Sequence, residues 1–297
     1  MDISSRWYKA AGASIIAAGF AARYVSKWKR GRTLARRALA DQREAPSGRY
    51  YIGIDLTDPR SRDGEPKPCD VAVLNPQLSC QFSQWNYSEQ GDSIIPEIAL
   101  GRSFILSIDG PQGLTGNKDA GSRQSELSVQ RSVGIGIPGH AMYELPSNGT
   151  PFAGFISGSV KLFYRLVTSG SRFRLLGMEG VSQRNANLIE VYPGAGWRSI
   201  AGTEKLPRKD TLKGRGARRI LLETQGVMFA EGKPPSTDQL DAAMAAWTAY
   251  CFDTDQVSLE GVAPWKDDDK NVMREGYIVQ PAPVMKEVVA ETPLTPA

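Results

Sequence analysis

Residues 241–252 read DAAMAAWTAYCF, and Asp241 is the only charged side chain among them. A helix this apolar is enclosed on nearly every side, so the rest of the chain must supply a broad surface to cover it. Leu240, Met244, Trp247 and Cys251 recur at helical spacing and form one packing stripe. Ser236 or Thr237 can cap the start, where the helix dipole favours an acid such as Asp238. Asp238 and Asp241 are three residues apart and project from one side. At Asp238 an ordinary first-turn acid explains the residue equally well. At Asp241 the uncharged sequence that follows favours a buried carboxylate, which needs a partner or a cation.

The covering surface reads as a sheet. Segments 50–56 (YYIGIDL), 69–74 (CDVAVL) and 79–87 (SCQFSQWNY) alternate with turn-rich joins, the pattern of hairpin-linked strands. Segment 103–108 (SFILSI) is a continuous apolar run, as in a central buried strand. Strands are also expected at 187–192 (NLIEVY), closed by Pro193, and at 277–279. Helical character falls at 119–132, 155–168, 215–229 and 236–252, with Pro96 restricting 93–100 to a short turn of helix. Early antiparallel strands followed by alternating elements predict an α/β fold, a mixed sheet flanked by helices.

Two of these strands end on acids. Asp55 in GIDLTDP and Asp109 in SIDGPQGL each close an apolar run ahead of a Gly/Pro turn. Open α/β sheets place their ligand crevice at the carboxyl ends of strands. A single strand-end aspartate is commonly a turn former; two of them opposite an acidic helix make a constellation. Glu190, inside the strand IEVYP, is a third candidate. Composition narrows the chemistry. The chain has one histidine, His140, and three cysteines without a CxxC pair, which excludes a multi-histidine metal site, a zinc ribbon and a disulfide framework. Carboxylate oxygens select Mg²⁺ or Mn²⁺. His140 is expected to be structural or exposed. GIGIPG at 134–139 lacks the Lys-Ser/Thr of a P-loop, and WKDDDK reads as a solvated turn.

The charge is unevenly placed. Residues 1–45 hold ten Lys/Arg against three Asp/Glu, leaving 26 basic and 29 acidic side chains in the remaining 252 residues. The first 45 residues therefore read as a basic, Ala-rich helical extension, whose apolar stretch 10–22 is too short for a comfortable membrane span but allows membrane-surface or protein contact. Residues 46–281 read as the folded domain and 282–297 as a Pro-rich disordered tail. The cysteine usage suits a cytoplasmic protein. Within the body, 205–219 is the densest basic run. Lys209, Lys213, Arg215 and Arg219 are its candidate nucleic-acid contacts, and Gly214 and Gly216 would let backbone amides approach a phosphate. Arg123 and Arg131 are weaker candidates for the same role.

Taken in order, GIDLTDP, SIDGPQGL, IEVYPGAGW, KDTLKGRGARRILLE, TDQLDAAMAAWTAY and EGYIVQP resemble a family of proteins of unknown function described as predicted nucleases with a ribonuclease H-like fold. The resemblance runs from about residue 50 to 281. It implies a ribonuclease H-like sheet in which Asp55, Asp109 and Asp241 hold Mg²⁺, with Asp238 an additional helix acid. Glu190 falls at the family's Glu-x-x-Pro position. The function so implied is metal-dependent phosphodiester hydrolysis on DNA or RNA, with Asp55, Asp109, Glu190, Asp238 and Asp241 as the catalytic set. Two other classes fit the same acids: an ATP-dependent phosphotransferase of the related actin- and sugar-kinase-like fold, or a non-enzymatic module recruited through the basic N-terminus. The absence of a second, duplicated half weighs against the phosphotransferase.

Overall fold

The computed structural model describes residues 48–59, 67–87, 94–137, 141–147, 149–202, 204–232 and 234–282. The expected N-terminal extension, His140 and nearly all of the Pro-rich tail lie outside these residues.

Eight strands form one mixed sheet: β1 (Tyr50–Asp55), β2 (Cys69–Leu74), β3 (Ser79–Trp85), β4 (Phe104–Asp109), β5 (Leu188–Val191), β6 (Met228–Phe229), β7 (Val257–Asp267) and β8 (Val272–Pro281). Their spatial order is β6-β3-β2-β1-β4-β5-β8-β7. β1, β4, β5 and β8 run parallel, β2 is antiparallel to β1 and β3, and β7 returns antiparallel along β8. Five helices accompany them: α1 (Gln124–Val133), α2 (Ala153–Thr168), α3 (Pro193–Ala201), α4 (Leu212–Thr224) and α5 (Thr237–Asp253). After Pro96, only a single 3₁₀ turn forms, at Glu97–Ala99.

Strand alternation sorts the central strands onto two faces. Ile52, Ile54, Val71, Val73, Leu106 and Ile108 point to one face and pack with Leu162, Phe163 and Leu166 of α2. The opposite face carries Gly53, Ala72 and Ser107, which share one register line across β2, β1 and β4. It accepts α5. A Cβ on Gly53 would lie 2.2 Å from both Ala242 O and Ala246 N, so strand and helix backbones meet there with no side chain between them. The alanines of 241–252 are what permit this approach, and every residue from Leu240 to Phe252 is buried. The helix starts as its sequence specifies: Gln239 N donates to Ser236 Oγ (3.0 Å), and Ser236 N donates to Gln239 Oε1 (2.9 Å).

Two expectations need correction, and one helix was not expected. Pro193 closes β5 but also opens α3, the first-turn position where a missing N–H is harmless. The helix expected at 215–229 ends at Thr224, and Met228–Phe229 becomes an edge strand beside β3. The late short strand is a ten-residue β8 joined to an eleven-residue β7 through the WKDDDK turn. Among the described residues, no helix is long and apolar enough to cross a membrane. Cys69, Cys80 and Cys251 are buried free thiols.

Candidate active site

Parallel pairing sets Asp55 opposite Asp109, the last residues of neighbouring strands. Asp55 is two residues beyond Gly53 and shares its face, so both carboxylates project toward α5. The α5 contact at Gly53 involves Ala242, next to Asp241, and this brings the helix acid to the same place. Antiparallel pairing adds a fourth acid. Asp70, at the start of β2, lies across from Asp55 on the other side. Asp70, Asp55 and Asp109 thus form a row across three strands. Sequence reading overlooked Asp70, because the second residue of a strand looks like turn chemistry until the hairpin register is known.

The acids perturb one another. Burial, then the negative charges of Asp109, Asp241 and Asp238, hold the Asp55 carboxyl well above the usual carboxylate range, with Lys209 opposing. Burial and the Asp241 charge push Asp109 up to about 8, against a hydrogen bond with Asp55 and the Lys209 ammonium. Asp70 is also raised by burial, a hydrogen bond with Gln84 working the other way. Carboxyls placed side by side in partial burial favour a shared proton or a bound cation.

Asp241 itself is buried and fully engaged. Trp197 Nε1 on α3 donates to Asp241 Oδ1 at 2.6 Å, and Lys209 Nζ donates to Oδ2 at 3.0 Å. Lys209, expected as a nucleic-acid contact, is therefore a cation of the acid cluster. Partial desolvation disfavours its charge, but Asp241, Asp55 and Asp238 outweigh this and its pKa is raised. Asp238 pairs at the surface with Lys67 at 3.0 Å. Among the described residues, no three His, Cys, Asp or Glu side chains are grouped so as to hold a metal ion in this arrangement. The donor chemistry still fits a hard divalent cation: Asp55 and Asp109 are adjacent oxygen donors whose charges repel. Asp241 lies on the facing helix with one donor on each oxygen.

Glu190 stands apart from this pair. Its two oxygens accept from Arg123 Nη1 (2.7 Å) and Nη2 (2.6 Å), and Gln112 N also donates to it at 2.9 Å. Arg123 is enclosed and also bonds Glu126 at 3.1 Å. Glu190 thus holds the turn that follows Asp109, and Arg123 is a buried structural cation rather than a phosphate contact. Arg219 pairs with Glu223 and lies over the Phe229 ring. Lys213 is exposed at the start of α4, and Arg215 Nη1 bonds Asp210 O. Gly214 is needed for packing: a Cβ there would stand 1.8 Å from Arg208 O, and its amide already donates to Thr211 Oγ1. The phosphate-cradle expectation for Gly214 is not met.

Two cavities border the acids. One of about 440 Å³ is lined by Asp109, Phe152, Phe155 and Tyr192, among others. A wider groove of about 980 Å³ runs past Asp70, Asp238, Gln84, Phe82 and Arg215. The acid row lies between them, Asp55 being paired on one side with Asp70 and on the other with Asp109.

Residues 160–264 match the model of an uncharacterised domain family described as a protein of unknown function (DUF429). That span takes in β5, Lys209, Asp238 and Asp241, but neither Asp55 nor Asp109. No curated protein and no solved structure matches the chain significantly.

Proposed function

We propose that the protein is a divalent-metal-dependent nuclease with a ribonuclease H-like fold, hydrolysing phosphodiester bonds in DNA or RNA. The observation that carries this reading is the register pairing of Asp55 with Asp109 on parallel strands, opposite Asp241 on α5. The central β1–β4 pair, the antiparallel β2 and the late acidic helix agree with the fold that the sequence resemblance implies.

Mg²⁺ or Mn²⁺ bound at such carboxylates supplies an activated water and neutralises charge on the phosphate. Asp55 and Asp109 would hold it, and their mutual repulsion is relieved in doing so. Asp241, whose oxygens accept from Lys209 and Trp197, would complete the ligand set if its Oδ2 were released from Lys209. The Lys209 ammonium, once released from Asp241, would be placed to pair with a phosphate oxygen. Asp70 and Asp238 border the wider groove, where they would orient water or a second cation. Glu190 and Arg123 act through the turn at 110–113 and fix where Asp109 ends.

Cleavage of single-stranded, duplex and branched DNA and RNA in Mg²⁺ and Mn²⁺, with chelator controls, tests the proposal. Asp55→Asn should lower the rate at least about 100-fold while the fold is retained, since it preserves shape but removes a ligand charge. Cleavage that survives both chelator and Asp55→Asn would overturn the mechanism. ATP binding without any cleavage would favour the phosphotransferase class instead.

A further inference from the structure

The cavity beside Asp109 has walls of a different kind from the acid row. Phe152, Phe155, Tyr192 and Ile137 line it, and at its edge lie Asp58 and the buried Arg123, which pairs with both Glu126 and Glu190. At about 440 Å³ it has the size of a small-ligand pocket and is too small for a duplex. Phe152, directly before α2, has φ +61°, a left-handed backbone that a bulky residue rarely adopts, and it is 52% exposed. Glycine or asparagine would hold that backbone without strain, and a half-exposed ring adds little packing. A strained aromatic on the wall of an apolar cavity next to reactive carboxylates points to a ligand with a flat face. Asp109 lines the same cavity as Tyr192, so this wall reaches the acid cluster itself.

We propose that this cavity receives the base of the nucleotide adjoining the scissile phosphodiester, packed against Phe152 and Phe155. The substrate is then a single strand, or a strand with one base turned out, because bases stacked in a duplex cannot offer their faces to the pocket. The phosphate leaving the pocket meets Asp109 and Asp55, and the chain continues toward Asp70 and the Arg215 groove. This inference rests on the hydrolase reading above.

The test uses the full chain and two labelled single strands of about ten nucleotides, one of mixed sequence and one abasic throughout, with binding read by anisotropy in Ca²⁺. The base-bearing strand should bind at least about tenfold tighter than the abasic strand. Phe152→Gly, which suits the left-handed backbone and is checked by thermal melting, should remove about tenfold of affinity for the base-bearing strand only. Phe152→Tyr should restore it. Equal binding of the two strands, indifference to Phe152→Gly, or equal affinity for a duplex would each overturn the proposal. Base-dependent binding with no cleavage in Mg²⁺ or Mn²⁺ would sink the hydrolase reading and leave the pocket standing. Asp55-dependent cleavage without base dependence would do the reverse.

Discussion

The decisive residues are the aspartates whose protons the fold retains. A carboxyl with a raised folded-state pKa keeps a proton that the unfolded chain releases, so the folded state binds more protons between the two values. For Asp109, raised to about 8, that window opens near the ordinary carboxylate range, about 4, and closes near 8. Stability of the metal-free protein should therefore be full below the window and fall as pH rises through it. Asp109→Asn should have little effect on Tm at pH 5 and raise it by several degrees at pH 8, at about 2–4 °C per kcal/mol. Mg²⁺ should raise the wild-type Tm at pH 8 and leave the variant nearly unmoved. Scanning calorimetry from pH 5 to 8, with and without Mg²⁺, checks both. A Tm that climbs with pH in the metal-free wild type would contradict the raised Asp109.

At the level of elements, the site depends on how closely α5 lies on β1. Gly53→Ala would place a methyl 2.2 Å from two backbone atoms of α5, with no flexible side chain available to yield. Helix and strand must separate, at a cost of about 3 kcal/mol or more, and Asp241 would be carried away from Asp55. Urea denaturation should show the loss, and Mn²⁺ titration should show weakened binding in the variant that still folds. Unchanged stability would mean that the interface is looser than described. Much of this element was legible beforehand: one charge in twelve residues marked a buried helix, and apolar runs ending on Asp55 and Asp109 marked central strands. What the sequence left hidden depended on pairing. Asp70 joins the row only through the β1–β2 register, and Lys209 meets Asp241 only after α3 and the 205–211 segment have folded against α5. The β7–β8 hairpin was missed because REGYIVQP carries buried polar residues: Arg274 is answered by Asp267 across the turn and by Thr115 O, and Glu275 by the distant Gly116 N.

For the molecule as a whole, the candidate site lies at the rim of the sheet where β1 and β4 end. An apolar pocket lies on one side of the acid row and a polar groove on the other. The 46–297 body carries 26 basic and 29 acidic side chains, so general attraction to a polyanion cannot seat a substrate there; individual cations along the path must do it. Arg215 lines the groove, and Lys213, on the same helix, is exposed. Each phosphate contact releases counterions, so the salt dependence of binding counts these contacts. Arg215→Ala should weaken single-strand binding similarly across sequences and lower the slope of log K against log salt by about 0.7. Lys213→Ala should do the same. Neither should alter Mn²⁺ affinity, since neither belongs to the acid cluster. Combining Arg215→Ala with Phe152→Gly should give additive losses, because groove and pocket lie on opposite sides of the acid row. Anisotropy titrations at several salt concentrations in Ca²⁺ measure this. A salt slope unchanged by Arg215→Ala would take the groove out of the substrate path and leave the pocket side alone as the route to the acids.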